Sequence, residues 1–133
     1  LSFCALGSMV ACEIEFRRGA ETLVNLMEPY VGEWVITGPA GSALGPVEMH
    51  LGEICLLLGR DREAATWLER SVDNCEGMGA RPYLALSKMH LALALRRLGN
   101  PEPERAEELM SSGQQIAEEL DMQMLLNRIN RWS

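Results

Sequence analysis

The chain has 133 residues, 47% of them hydrophobic and only 5% aromatic, with a formal net charge of −7. That length and apolar content suit one domain with its own core and exclude a disordered tail. The acidic balance disfavours a surface for phosphate backbones, so direct nucleic-acid contact by this segment is not expected.

Leu, Ala and Met carry the apolar content and β-branched residues are scarce, which favours helix over strand. Residues 2–18 place Phe3, Leu6, Val10, Ile14 and Arg17 at helical spacing until Gly19 interrupts them. Residues 20–31 carry Leu23, Val24, Met27 and Val31 in the same way. The run Trp34–Ile36 could be a short extended piece; without a visible partner strand it reads as a packed loop. A third helix opens at Gly45-Pro46, aligns Val47, Leu51, Ile54 and Leu58, and ends at Gly59. A fourth begins near Asp61, placed as an N-cap or first-turn acid, and stops at Gly77-Met78-Gly79. Pro82 opens a fifth, with Leu84, Leu91, Leu95 and Leu98 on one face, and Gly99-Asn100-Pro101 ends it. A sixth covers roughly 102–120, and a short amphipathic piece with Met122, Leu125, Leu126 and Ile129 follows. Residues 101–121 hold seven acids and one base, Arg105, read as a solvated helix face.

No apolar stretch reaches the ~18–20 residues of a membrane span, and the start lacks the basic region of a signal peptide. The first residue is Leu1, which suggests a piece of a longer chain. Cys4, Cys12, Cys55 and Cys75 form no CxxC pair and have no His at ligand spacing, so they read as free thiols in a reducing cytoplasm.

The helical segments recur. Leu58-Gly59 returns as Leu98-Gly99, Leu51-Gly52 as Leu91-Ala92, and the helices after each turn align, with Leu68 opposite Met110 and Cys75 opposite Ala117. Gly52, Ala64 and Ser71 fall in register with Ala92, Ala106 and Gly113, and all six are small. In this register the chain resembles the tetratricopeptide pattern, which needs small residues at three points of each helix pair so that backbones approach closely. Departures are visible. The unit is about 40 residues rather than about 34. Glu48 and Cys55 stand at the aromatic signature positions of the first helix, and Met27 stands at a small-residue point. Longer units of this kind resemble the helical-repeat arrays of large bacterial signalling proteins with an ATPase module and either a LuxR-type DNA-binding domain or a class III adenylate cyclase domain. The segments Gly45-Pro46-Val47, Leu57-Leu58-Gly59-Arg60, Met78-Gly79-Ala80-Arg81-Pro82 and Glu28-Pro29-Tyr30 carry that similarity, over about residues 15–130.

Catalytic chemistry finds little support. The Gly38–Gly45 run lacks the Lys-Ser/Thr pair of a phosphate loop. His50 and His90 occupy equivalent places forty residues apart, and no Cys or carboxylate pattern completes a metal site, so they read as surface or groove histidines. Glu107/Glu108 and Glu118/Glu119 are sequence neighbours that point apart on a helix. Met27, Met78 and Met110 read as core filling, and Trp132 as packing on the last helix pair or on a further piece of a longer chain.

The expectation is an all-α, tetratricopeptide-like right-handed superhelix of about three helix pairs (2–31, 46–77, 82–120) and a terminal helix (122–131), in one domain spanning 1–133. The resemblance implies a non-catalytic, cytoplasmic interaction or relay module that needs no cofactor or metal and binds a protein, a peptide or a sister domain. The alternative is a structural spacer or self-association module, for instance a homodimer. In tetratricopeptide arrays the first helix of each pair lines the concave face. The partner-binding candidates are therefore the residues off the core stripe there: Glu48, His50, Glu53, Tyr83, Ser87, Lys88, His90, Arg96 and Arg97.

Overall fold

The computed structural model describes residues 1–39, 41–99 and 103–132, the side chains of Ile129, Arg131 and Trp132 excepted. The expectations for Trp132 and for the stop at Asn100-Pro101 lie outside that set. The chain is predominantly helical: α1 (Ser2–Glu13), α2 (Ala20–Met27), α3 (Val47–Leu58), α4 (Asp61–Met78), α5 (Arg81–Arg97), α6 (Pro103–Glu119) and α7 (Gln123–Trp132).

Between α2 and α3 the loop expectation is corrected. Trp34–Thr37 (β1) pairs antiparallel with Ser42–Pro46 (β2), and the register shifts between Val35 and Ile36. The partner strand hides in the Gly-rich run that resembles a loop in sequence. Gly45 has φ +100, and a Cβ there would sit 2.8 Å from Met49 Cε and 2.9 Å from Tyr83 Cδ1. Only glycine combines that backbone with so close an approach.

The helix ends share one device. Backbone N–H groups of Phe16, Arg60, Ala80 and Met122 donate to carbonyls five residues back, which caps α1, α3, α4 and α6. The left-handed residue each cap requires is Gly59 after α3 and Gly79 after α4, but Glu15 (φ 52) after α1 and Asp121 (φ 53) after α6. The expected first helix, 2–18, therefore ends at Glu13. Its stop is a non-glycine residue that no sequence rule marks.

Consecutive helices pack on each other from α3 to α6, and α1 and α2 both pack on α3. The odd-numbered helices also touch one another, α1 with α3, α3 with α5 and α5 with α7. Among the described residues the even-numbered helices make no contact of comparable extent. Two layers result, with α3 and α5 at the centre. Leu51, Ile54, Leu68 and Leu91 fill the core between them. The six small residues are all buried. A Cβ on Gly52 would lie 2.4 Å from Leu68 Cγ, and one on Gly113 would lie 2.5 Å from Met89 Cγ. Helix axes at that separation leave no room for a larger residue. No helix among the described residues is long and apolar enough to cross a membrane.

Candidate functional site

The nine candidate residues are expected together on an open face; the structure disperses them. Burial corrects that expectation for Glu48, His50, Glu53, Ser87 and His90, all of which are inside. The reason is physical. The helical stripe predicts one buried face, but α3 is covered on nearly every side by α1, α2, the hairpin, α4 and α5. Glu48 Oε1 accepts from the Gly32 N–H at 2.9 Å, and the His50 Nε2–H donates to the Leu44 carbonyl at 3.0 Å. The hairpin missed in the sequence thus partners His50, and the turn leading into it partners Glu48. Ser87 shares a 2.6 Å hydrogen bond with Ser71, between α5 and α4. Tyr83 donates to the Ala43 carbonyl and packs edge-on against Trp34, with ring centroids 5.8 Å apart, fastening the hairpin to α5. Lys88 pairs with Glu76 at 3.2 Å and Arg96 with Glu107 at 2.9 Å, both toward the even-numbered helices.

Three candidates do come together. Glu53, His90 and Arg97 line an open groove of about 250 Å³ beside Cys12, Glu13, Glu15, Arg17 and Arg128, with Leu56, Leu57 and Leu93 as its apolar wall. The odd-numbered helices and the turn after α1 supply these residues. Arg128 of α7 is ion-paired with Glu13 of α1, so the first and last helices meet across the face of α3 and α5. Arg97 donates to the Leu56 carbonyl at 3.0 Å and lies 3.6 Å from Asp61, which fixes it at the groove's edge. Glu13, Glu15 and Arg128 were not legible as site residues, because a contact between positions 13 and 128 leaves no local signal.

At the floor, Glu53 stands between two histidines. One carboxylate oxygen is 3.3 Å from His90 Nδ1 and the other 4.0 Å from His50 Nδ1, which also lies 3.4 Å from Ser8 Oγ. Burial pushes the Glu53 carboxyl up to about 8. Burial likewise drives His50 and His90 down to about 4, against the weaker opposing effect of hydrogen bonds to the Leu44 and Leu86 carbonyls. At neutral pH the cluster is thus neutral: a protonated acid between two uncharged imidazoles. Burial, with Glu53 nearby, pushes the Cys12 thiol up to about 12. A thiol held protonated is a poor nucleophile. Among the described residues no group of three His, Cys, Asp or Glu is arranged to hold a metal ion. The groove thus presents an apolar wall, a charged rim and a hydrogen-bonding floor.

Comparisons with protein-family models, with curated proteins and with solved structures gave no match.

Proposed function

We propose that this chain is a tetratricopeptide-like repeat module that binds a peptide segment or sister domain in the groove over Glu53 and His90. On this reading α1/α2, α3/α4 and α5/α6 are three helix pairs of a right-handed superhelix, α7 is the terminal helix, and the odd-numbered helices form the concave side. The module serves as a relay in a cytoplasmic bacterial regulatory protein of the transcriptional-regulator or cyclase type.

The observation that carries the reading is the groove itself, on the face where the odd-numbered helices meet. The burial of all six small residues at the repeat positions supports the register from which the resemblance is drawn. The rim holds Arg17, Arg97 and Arg128 against Glu13 and Glu15, while Glu53 is neutral. A segment with one or two apolar side chains flanked by acids fits that balance.

Selection of a displayed library of short linear peptides on the chain tests this. Enriched peptides are expected to lose roughly tenfold or more in affinity on Arg17→Glu or Arg97→Glu. Arg62→Glu, on the exposed side of α4, should leave them unaffected. Failure to enrich any peptide, or equal losses from all three variants, would contradict the proposal.

A further inference from the structure

The α1–α2 end of the molecule has a surface that the groove does not use. Phe3 is 90% exposed, Val10 58%, Ile14 65% and Phe16 51%. With Leu6 they form a stripe along one side of α1 and the turn after it, spaced as on one helix face. Leu6, Val10, Ile14 and Phe16 of that stripe, with Leu23 and one charged residue, Arg18, also line a mainly apolar groove of about 400 Å³ between α1 and α2. Glu13 is the only charged residue in α1. A helix so poor in charge and so exposed is not built to face water.

We infer that this end is a homodimer interface, in which the Phe3–Val10 ridge of each copy seats in the α1–α2 groove of the other about a twofold axis. Ridge and groove on one patch make the surface self-complementary, as an isologous contact requires. Its area also matches. Taking about 150–250 Å² for a whole aromatic side chain and somewhat less for an aliphatic one, the exposed fractions of these five side chains amount to roughly 600 Å². That is about the apolar share of the ~800 Å² each partner contributes to a standard interface.

The charge distribution permits it. Residues 1–27 hold three acids, Glu13, Glu15 and Glu21, against Arg17 and Arg18, although the whole chain carries −7. Glu13 and Glu21 are already paired, with Arg128 and Arg60. The acidic stretch 101–121 belongs mainly to α6, which makes no extensive contact with α1 or α2. Two copies meeting end to end therefore bring Arg18 of each groove to the contact but otherwise little like charge together.

Sedimentation equilibrium of the chain at micromolar concentrations is expected to show a monomer–dimer equilibrium. Val10→Asp should weaken the dimer by roughly tenfold or more. Phe3→Ser, at a position too exposed to affect folding, should weaken it in the same direction, with far-UV circular dichroism unchanged. Met124→Asp, on α7 and 80% exposed, should leave the dimer intact. A chain monomeric throughout that range overturns the inference, as does a dimer that survives both α1 variants or one that Met124→Asp abolishes.

Discussion

α1 and α3 occupy comparable places, each an odd-numbered helix packed beside the next, yet they differ in what surrounds them. Ten residues of α3, from Val47 to Leu56, are buried. α1 buries Ala5, Ser8 and Ala11 and leaves Phe3 and Val10 in the open. The same contrast reaches the glycines. Gly52 of α3 has Leu68 where a Cβ would go, whereas a Cβ on Gly7 of α1 would meet Leu23 Cδ2 at an ordinary 3.5 Å. The lesson is that a helix in this fold is fixed by its neighbours on all sides, and that α1 lacks some of them.

The largest break in the comparison is expected at Leu68. Leu68→Ala should cost about 3 kcal/mol or more, by loss of burial and the cavity left under Gly52, measured by urea unfolding. The two glycines should then respond with opposite signs. Gly52→Ala is expected to destabilise by about 1–3 kcal/mol through overpacking. In Gly52→Ala/Leu68→Ala the combined loss should fall short of the sum of the two single losses. Gly7→Ala should stabilise by up to about 1 kcal/mol, because a helix interior favours Ala over Gly and the space is open. Equal responses at the two sites would abolish the distinction between the helices.

The buried cluster sharpens the comparison by pH. His50 and His90, lowered in the fold to about 4, bind fewer protons than in the unfolded chain between pH 4 and 6.5, so stability rises with pH across that window. Glu53, raised to about 8, stays protonated in the fold while its unfolded form ionises above 4.5, so its contribution falls from pH 4.5 to 8. Two opposing protons outweigh one below pH 6.5, and the cluster's contribution therefore peaks near that value. Glu53→Gln, which mimics the protonated acid, should remove the decline between pH 6.5 and 8. An unchanged slope in the variant would mean that Glu53 is already ionised in the fold.

A smaller effect is expected after α1. Glu15 holds the left-handed position that Gly59 holds after α3. Glu15→Gly should raise stability by roughly 0.5–1 kcal/mol, and Gly59→Ala should lower it by about 1 kcal/mol, both readable as shifts in unfolding midpoint. Because Glu15 also lines the groove, Glu15→Gly removes a negative charge from its rim and should tighten an acidic selected peptide while stabilising the chain.

Helix order and count were legible because glycine and proline mark most ends and the apolar spacing is regular. The six small residues singled out in the sequence are each buried, and at Gly52 and Gly113 a neighbouring side chain stands where a Cβ would go. The hairpin was not, since Ser42–Pro46 carries two small residues, a Gly and a Pro where strand formers would announce themselves. Nor was the site. Periodicity tells which side of a helix faces one neighbour, but not that α3 has neighbours nearly all round. Glu48, His50 and Glu53 therefore read as surface residues, although the hairpin, α1 and α5 enclose them. The Glu13–Arg128 pair that spans the groove depends on the chain returning to its start, which no local pattern encodes.

The most direct test of the central claim is photocrosslinking from a reactive side chain at position 17, on the groove's rim, and from one at position 62, on α4. The account predicts adducts to a partner segment or sister domain from position 17 and few or none from 62. Equal labelling from both, or labelling from 62 alone, would contradict it.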